Sequence, residues 1–179
     1  MHLEYDTGMS NKIFKCYRPI YFDMAKIGNG IQMGLSWIPD SNGHVPGNAI
    51  SVGEGIYIAR MHESGDLIPG KVVSQYNKAF CSHDGRELEH QNYEVLCDTC
   101  APGTSQCFRW LPASNGNVPD NAVVGGLSKY GDALYVARSE ISGEPVAGKV
   151  HHGHTNAYFP YGGKEHAVKQ YDVLVWCKK

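Results

Sequence analysis

The sequence has no run of lysine or arginine and no strong charge of either sign. Its 16 Lys and Arg against 18 Asp and Glu leave a formal net charge of −2, with a pI near 6.5. A nucleic-acid ligand requires a positive stripe along its phosphates, so that partner class is excluded, and an anionic membrane surface with it. Long apolar runs are missing too, and no stretch approaches the roughly 20 residues needed to span a bilayer. The opening "MHLEYDTGMSNKIFKCYRPIYF" lacks the basic and then apolar regions of a signal peptide. The expectation is a chain without membrane insertion, cytoplasmic or exported by a non-conventional route. Apolar residues nowhere hold an i, i+3, i+4, i+7 pattern over three turns, which argues against helices. Catalytic signatures are also lacking: there is no G-x-S-x-G elbow, and "GGLSKYGD" has no Lys-Ser/Thr ending of a phosphate loop. Neither an enzyme nor a cofactor is expected.

What the chain does contain is glycine, 21 residues of it, and a sentence written twice. "WIPDSNGHVPGNAISVG" (37–53) returns 73 positions later as "WLPASNGNVPDNAVVGG" (110–126). Five extra residues within "LSKYGD" then move the offset to 78, at which "GIYIARMHESGDLIPGKV" (55–72) matches "ALYVARSEISGEPVAGKV" (133–150). The match closes with "NYEVL" (92–96) against "QYDVL" (170–174). Internal repetition of this kind marks a repeated structural unit. The chain divides into an N-terminal segment (1–36) packing on the repeats, a first repeat (37–97), a Cys-rich joint (98–109) and a second repeat (110–179).

Each copy reads as β. "GIYIAR" and "ALYVAR" alternate β-branched or aromatic residues with small or polar ones, as a half-buried strand does. "GKVVSQY" and "GKVHHGH" read as strands leaving a Gly turn, and turn signals recur as "ESGD", "SHDG", "ISGE" and "YGGKE". An all-β architecture follows. A unit this short scarcely buries its own apolar face, so the two copies are expected to pack pseudo-symmetrically into one compact unit.

The repeated Lys71 and Lys149 each follow a glycine and stand five residues after an acid, Asp66 and Glu144. A lysine ammonium and a carboxylate on neighbouring strands suit vicinal sugar hydroxyls, because charged groups bond strongly to neutral ones. Tyr76, Phe80, Tyr158 and Tyr161 offer aromatic faces for the apolar side of a sugar. The competing reading of Gly-Lys is a turn with a solvated lysine. Arg60 and Arg138 are read as pairing with Glu87 and Glu165 to staple each unit, and Asn48 and Asn121 as turn formers bonding local backbone. Trp37 and Trp110 are read as core anchors.

"W-x-P-x-S-x-G-x-V-P-x-N-A", "LYVAR", "SGE…GKV", "YGGKEH" and "YDVLV", with "HESGDLIPGKV" and "NYEVLC", resemble the DM9 repeat over residues 37–97 and 110–175. The resemblance implies a β fold in which tandem repeats pair pseudo-symmetrically. Several members are mannose-binding lectins or pattern-recognition proteins of innate immunity, and others are known only as surface or tegument antigens. The mannose-binding members use the Gly-Lys lysine with an acid in the loop before the "LYVAR" strand. By alignment that acid falls on Ser128 in the second repeat, with Asp132 four residues later, and in the first only Glu54 is available. The implied function is a non-enzymatic lectin for mannose-type glycans with one shallow site per repeat. A homodimer would raise its avidity. The alternative is a structural or surface-antigen interaction module with no sugar site.

"VHHGHTN" (His151, His152, His154) puts His152 and His154 on one face if it is a strand, but the first copy reads "VVSQYNK" there. Solvated loop histidines are expected, with no metal. "CDTC" (97–100) with Cys107 supplies only one close pair, where a zinc ribbon needs two. A local or interchain disulfide, or linker thiols, is the expectation there. In "CSHDG" (81–85) neighbouring side chains point to opposite faces of a strand, which argues against a catalytic Cys–His pair.

Overall fold

The computed structural model describes residues 26–27, 30–31, 34–100 and 106–177. Most of the expected N-terminal segment, Cys16 included, lies outside these residues, as do positions 101–105 of the joint. Sixteen strands are present among the described residues. A two-stranded ladder, β1 (Lys26–Ile27) with β2 (Gly30–Ile31), precedes the main sheet. The first copy then supplies β3 (Leu35–Ser41), β4 (Ser51–Gly53), β5 (Ile56–Glu63), β6 (Asp66–Val73), β7 (Lys78–His83), β8 (Arg86–His90) and β9 (Asn92–Asp98). The second supplies β10 (Phe108–Ser114), β11 (Val124–Leu127), β12 (Ala133–Ile141), β13 (Glu144–Val150), β14 (Ala157–Tyr161), β15 (Lys164–Val168) and β16 (Gln170–Trp176). A 3₁₀ turn at Ser74–Tyr76 is the one helical element among the described residues.

Two-residue turns make the hairpins. Ser64-Gly65, Asp84-Gly85, Ser142-Gly143 and Gly162-Gly163 have positive φ at both positions and join β5–β6, β7–β8, β12–β13 and β14–β15. Positive φ at both central positions is the type I′ requirement, and such turns match the right-handed twist of the strands they join. This is why the punctuation "SGD", "DGR", "SGE" and "GGK" recurs at fixed places in both copies.

Every ladder is antiparallel, and the strand order is palindromic. It runs β10-β16-β12-β13-β14-β15 and then β8-β7-β6-β5-β9-β3, so each strand meets its sequence counterpart at the mirrored place. The halves join twice. Lys164 pairs with Arg86 between β15 and β8, and Leu127 pairs with Leu67 between β11 and β6. Because β11 also pairs with β12, the path β11-β12-β13-β14-β15-β8-β7-β6 closes on itself as an eight-stranded barrel, with the remaining strands as extensions. The outermost strands β3 and β10 each carry an exposed proline, Pro39 and Pro112. A proline there cannot donate to a further strand, which blunts both edges.

Four apolar clusters are buried among the described residues, the smallest made of Ile56, Val73 and Phe80. One gathers Ala59, Met61, Ile68, Val72, Ala79 and Val95 from the first copy, and a second gathers Ala137, Val146, Val150, Phe159 and Val173 from the second. The third mixes both: Ile50, Ile58 and Leu96 pack with Val123, Val136 and Leu174. This explains why β5 is buried along most of its length rather than alternating with solvent. Ile58 faces the shared cluster while Ala59 and Met61 face the first copy's own, so both sides of the strand are covered. The shared cluster removes from water apolar faces that either copy alone would expose, at about 1.5–3 kcal/mol per large aliphatic side chain.

Gly70 and Gly148 do not form turns; they lie inside β6 and β13. A Cβ at Gly70 would stand 2.1 Å from the Phe80 carbonyl oxygen, and one at Gly148 2.2 Å from that of Tyr158. The repeated glycine therefore permits β7 and β14 to approach closely. Asn48 and Asn121 do sit in tight turns, closed by Ala49 N to Pro46 O and Ala122 N to Pro119 O at 3.0 Å each, but their side chains do not bond local backbone. Each amide reaches a distant carbonyl, Asp98 at 2.8 Å and Trp176 respectively, and so fastens the end of β9 or β16.

Candidate functional site

Lys71 and Lys149 sit at matched positions on β6 and β13, and both are buried. Neither meets the acid that precedes it on its own strand. Residues five apart along a strand project to opposite faces, so Asp66 and Lys71 cannot converge. Lys71 Nζ instead stands 3.7 Å from Glu144 Oε1 of the other copy and 3.8 Å from Glu87 Oε1. Both separations exceed a direct hydrogen bond. The ammonium also lies 5.2 Å from the Tyr161 ring centroid and 5.7 Å from that of Phe80. Burial pushes the Lys71 pKa below the ordinary lysine value, and the charges of Glu87 and Glu144 oppose that shift.

A cavity of about 410 Å³ opens beside this lysine, lined by Glu54, Gln75, Glu144 and Tyr161, with Ser142 and Gly143 of the β12–β13 turn. Glu54 is exposed at its mouth. Three of the sequence candidates (Glu144, Glu54 and Tyr161) thus meet on the cavity wall, from both copies, and Lys71 stands behind Glu144 and Tyr161 without lining it. Tyr76 is exposed and sits edge-on to Phe80.

The second copy's counterpart is arranged differently. Lys149 Nζ donates to the Ser82 carbonyl and lies 3.5 Å from Glu165 Oε1. Asp66, the counterpart of Glu144, accepts the Lys129 backbone N–H at 2.6 Å and lies 3.6 Å from His83 Nδ1. Ser128 bonds within its own loop: its hydroxyl accepts from the backbone of Tyr130 and Asp132 and donates to Asp132 Oδ2 at 3.1 Å. Asp132, just before the first residue of β12, occupies the place that Glu54 occupies before β5. Alignment at the loop's start chose Ser128, while the backbone places the matching acid at Asp132.

Glu87 and Glu165 do not pair with the arginines. Each reaches into the opposite copy, Glu87 Oε2 accepting from Gly163 N at 2.7 Å and Glu165 Oε2 from Gly85 N at 3.0 Å. The arginines pair with the acids directly opposite on the neighbouring strand, Arg60 with Glu94 at 2.5 Å and Arg138 with Asp172 at 3.0 Å. Each guanidinium stacks 4.4 Å from a tryptophan ring centroid, Trp37 or Trp110. The signal for these pairs was in the sequence: "YEV" and "YDV" repeat an acid at that position.

The histidines lie in the loop after β13, so His152 and His154 share no strand face. His151 and His154 have ring centroids 3.6 Å apart, and His154 Nδ1 is 2.9 Å from the Tyr158 hydroxyl. Burial and the charges of His154 and Lys149 push His151 down to about 4. Asp98, Cys100 and Cys107 bring three ligand atoms within 4.8 Å of one another, whereas tetrahedral zinc takes four. Cys81 lies 3.6 Å from His90 Nε2, but burial pushes its thiol up to about 12, so it stays protonated at neutral pH.

No helix among the described residues is long and apolar enough to cross a membrane. The chain is similar to Natterin-3 of Thalassophryne nattereri, 27% identical over 155 residues that span 80% of this chain and 37% of Natterin-3. Its fold resembles the crystal structure of the nematode sperm cell motility protein MFP2B, with a TM-score of 0.59 and 16% identity, over 81% of this chain and 45% of that one. The chain thus spans less than half the length of either protein. The family profile described as DM9 repeat matches residues 53–168. That stretch runs from the end of β4 through β15 and covers well over half of the sequence, and the chain belongs to the DM9 repeat family.

Proposed function

We propose that this protein is a non-enzymatic carbohydrate-binding protein of mannose-type specificity. Its ligand groups are Lys71 with Glu144 and Glu54; Lys149, Asp66 and Asp132 stand at the corresponding places of the second copy. The supporting observation is the position of Lys71 Nζ. It has carboxylates at 3.7 and 3.8 Å, beyond direct hydrogen bonding, beside a cavity with carboxylates and an aromatic ring on its wall. A sugar hydroxyl entering there can accept from the ammonium and donate to Glu144, while Tyr161 presents a face to the ring's C–H side. The family membership and the similarity to Natterin-3 support the same reading.

The second reading is a structural interaction module. Both lysines are buried, Lys71 at 4% and Lys149 at 7% exposure, which suits ammonium groups that merely bind the two copies together. A glycan array on the purified protein separates the two readings. Its best hit is then titrated into wild type and a Lys71→Met/Lys149→Met double variant checked for folding by circular dichroism. The lectin reading expects affinity for mannose-type glycans that falls at least about tenfold in the variant, the loss of one charge-assisted hydrogen bond. An array without hits supports the interaction module.

A further inference from the structure

The two matched sites differ in how far the chain satisfies them by itself, and the difference begins at one pair of residues. Leu67 on β6 and Pro145 on β13 are counterparts. Leu67 pairs with Leu127, which brings β11 alongside β6. Pro145 has no N–H to offer, and β4 pairs with β5 and not with β13. The carbon atoms of the Pro145 ring face Gly53 instead, where a Cβ would meet Cγ at 2.3 Å.

This pairing carries the five extra residues of the second copy over its own site. The loop is stapled by the Ser128 hydroxyl and by backbone bonds Ser128 N to Asp132 O at 2.8 Å and Gly131 N to Ser128 O at 2.9 Å. Its Lys129 rests on the β5–β6 turn, with Cβ 3.4 Å from where a Cβ on Gly65 would lie. From there the Lys129 N–H occupies Asp66 Oδ1, and Ser82 occupies the Lys149 ammonium. The carboxylate and the ammonium that a sugar would engage thus each already carry a protein hydrogen bond. At the first site no such loop exists: Glu144 is 39% exposed along its side chain, against 12% for Asp66, and faces the cavity.

We infer that the two copies are not equivalent as binding sites. The Lys71–Glu144 site admits ligand, and the Lys149–Asp66 site is closed by the Ser128–Asp132 loop, so one chain holds one sugar. The inference rests on the carbohydrate reading and specifies its valency. A single-site chain cross-links glycan surfaces only by self-association, whereas a two-site chain does so alone.

The test is a titration of the ¹⁵N-labelled full chain with methyl α-mannoside, followed by calorimetric stoichiometry with the best array hit. The expected result is one ligand per chain, with amide shifts at Glu54, Gln75 and Gly143 and none at Gly65, Lys129 or Asp132. Shortening the Ser128–Asp132 loop to the length of the first copy's loop should raise the stoichiometry from one to two. Two ligands per wild-type chain, or shifts confined to the second cluster, would overturn the single-site inference while leaving the carbohydrate reading intact. Absence of any binding on array and titration would overturn both. The wild-type measurements decide the matter even if the shortened variant does not fold.

Discussion

Glu144 stands 3.7 Å from Lys71, although 73 residues of chain and the entire joint separate them. The contact exists because the hairpin turn Ser142-Gly143 of one copy is laid across the β6 strand of the other. The same exchange places Glu87 on the backbone of Gly163 and Glu165 on that of Gly85. The chemistry of the site is therefore a property of the assembled pair. Charges taken out of water in this way are offset only by well-placed partners, and here both copies supply them: Glu87 and Glu144 for Lys71, Glu165 and Ser82 for Lys149.

The closeness of neighbouring backbones gives a first prediction. Gly70→Ala and Gly148→Ala must push aside a carbonyl oxygen of the adjacent strand, at 2.1 and 2.2 Å from the new carbon. Each should lose about 1–3 kcal/mol, the usual range for overpacking. Gly47, with nothing within 4 Å of an added carbon, is the control and should stay within about 0.5 kcal/mol as alanine. Chemical denaturation of the three variants measures this. Equal stability of all three would mean that β7 and β14 can move away freely.

The two arginine–tryptophan stacks share a geometry but differ in exposure, and burial should set their cost. The Arg60 side chain is 10% exposed and also donates from Nη1 to the Gly125 carbonyl at 3.4 Å, whereas Arg138 is 35% exposed. Arg60→Met leaves Glu94 without its main partner and should cost about 1–3 kcal/mol. Arg138→Met removes a pair closer to the surface class and should cost about 0–1 kcal/mol, with a little more from the lost stacking. Denaturation midpoints of the two variants decide it. Equal losses would show that the tryptophan contact, and not burial of the ion pair, sets the energy.

The sequence disclosed more of the fold than of the site. Strands and hairpins were readable because the left-handed turns demand Gly, Asn, Asp or Ser at fixed places, and these survive in both copies. The shared core was foreseeable because a unit this short leaves part of its own apolar face uncovered. What stayed hidden depends on which strand lies beside which. Arg60 faces Glu94 because β5 pairs with β9, and a linear reading that favoured Glu87 had no means of knowing that order. Lys71 and Glu144 were both candidates, yet their pairing required the crossing of the copies. Asp132 was missed as the partner position of Glu54 because the inserted loop could be aligned from either end. The glycine before each lysine looked like a turn, since close approach of a neighbouring backbone leaves the same signature.

His151 gives a pH prediction whose sign follows from its surroundings. Half-buried, it faces His154 and Lys149, which oppose its protonation, and Asp132 and Asp66, which favour it less strongly; its folded pKa is lowered to about 4 from 6.5. The unfolded chain therefore binds this proton more readily than the folded one. Between pH 6.5 and about 4 the unfolded state takes up the proton first, so the contribution of His151 is fully present above 6.5 and is lost as the pH falls toward 4. Urea denaturation at pH 7.5, 6 and 5 should show stability declining, and His151→Gln, which cannot titrate, should decline less steeply over the same window. Parallel declines in the two proteins would show that other groups carry the pH dependence and that His151 is protonated as easily in the folded chain as in the unfolded one.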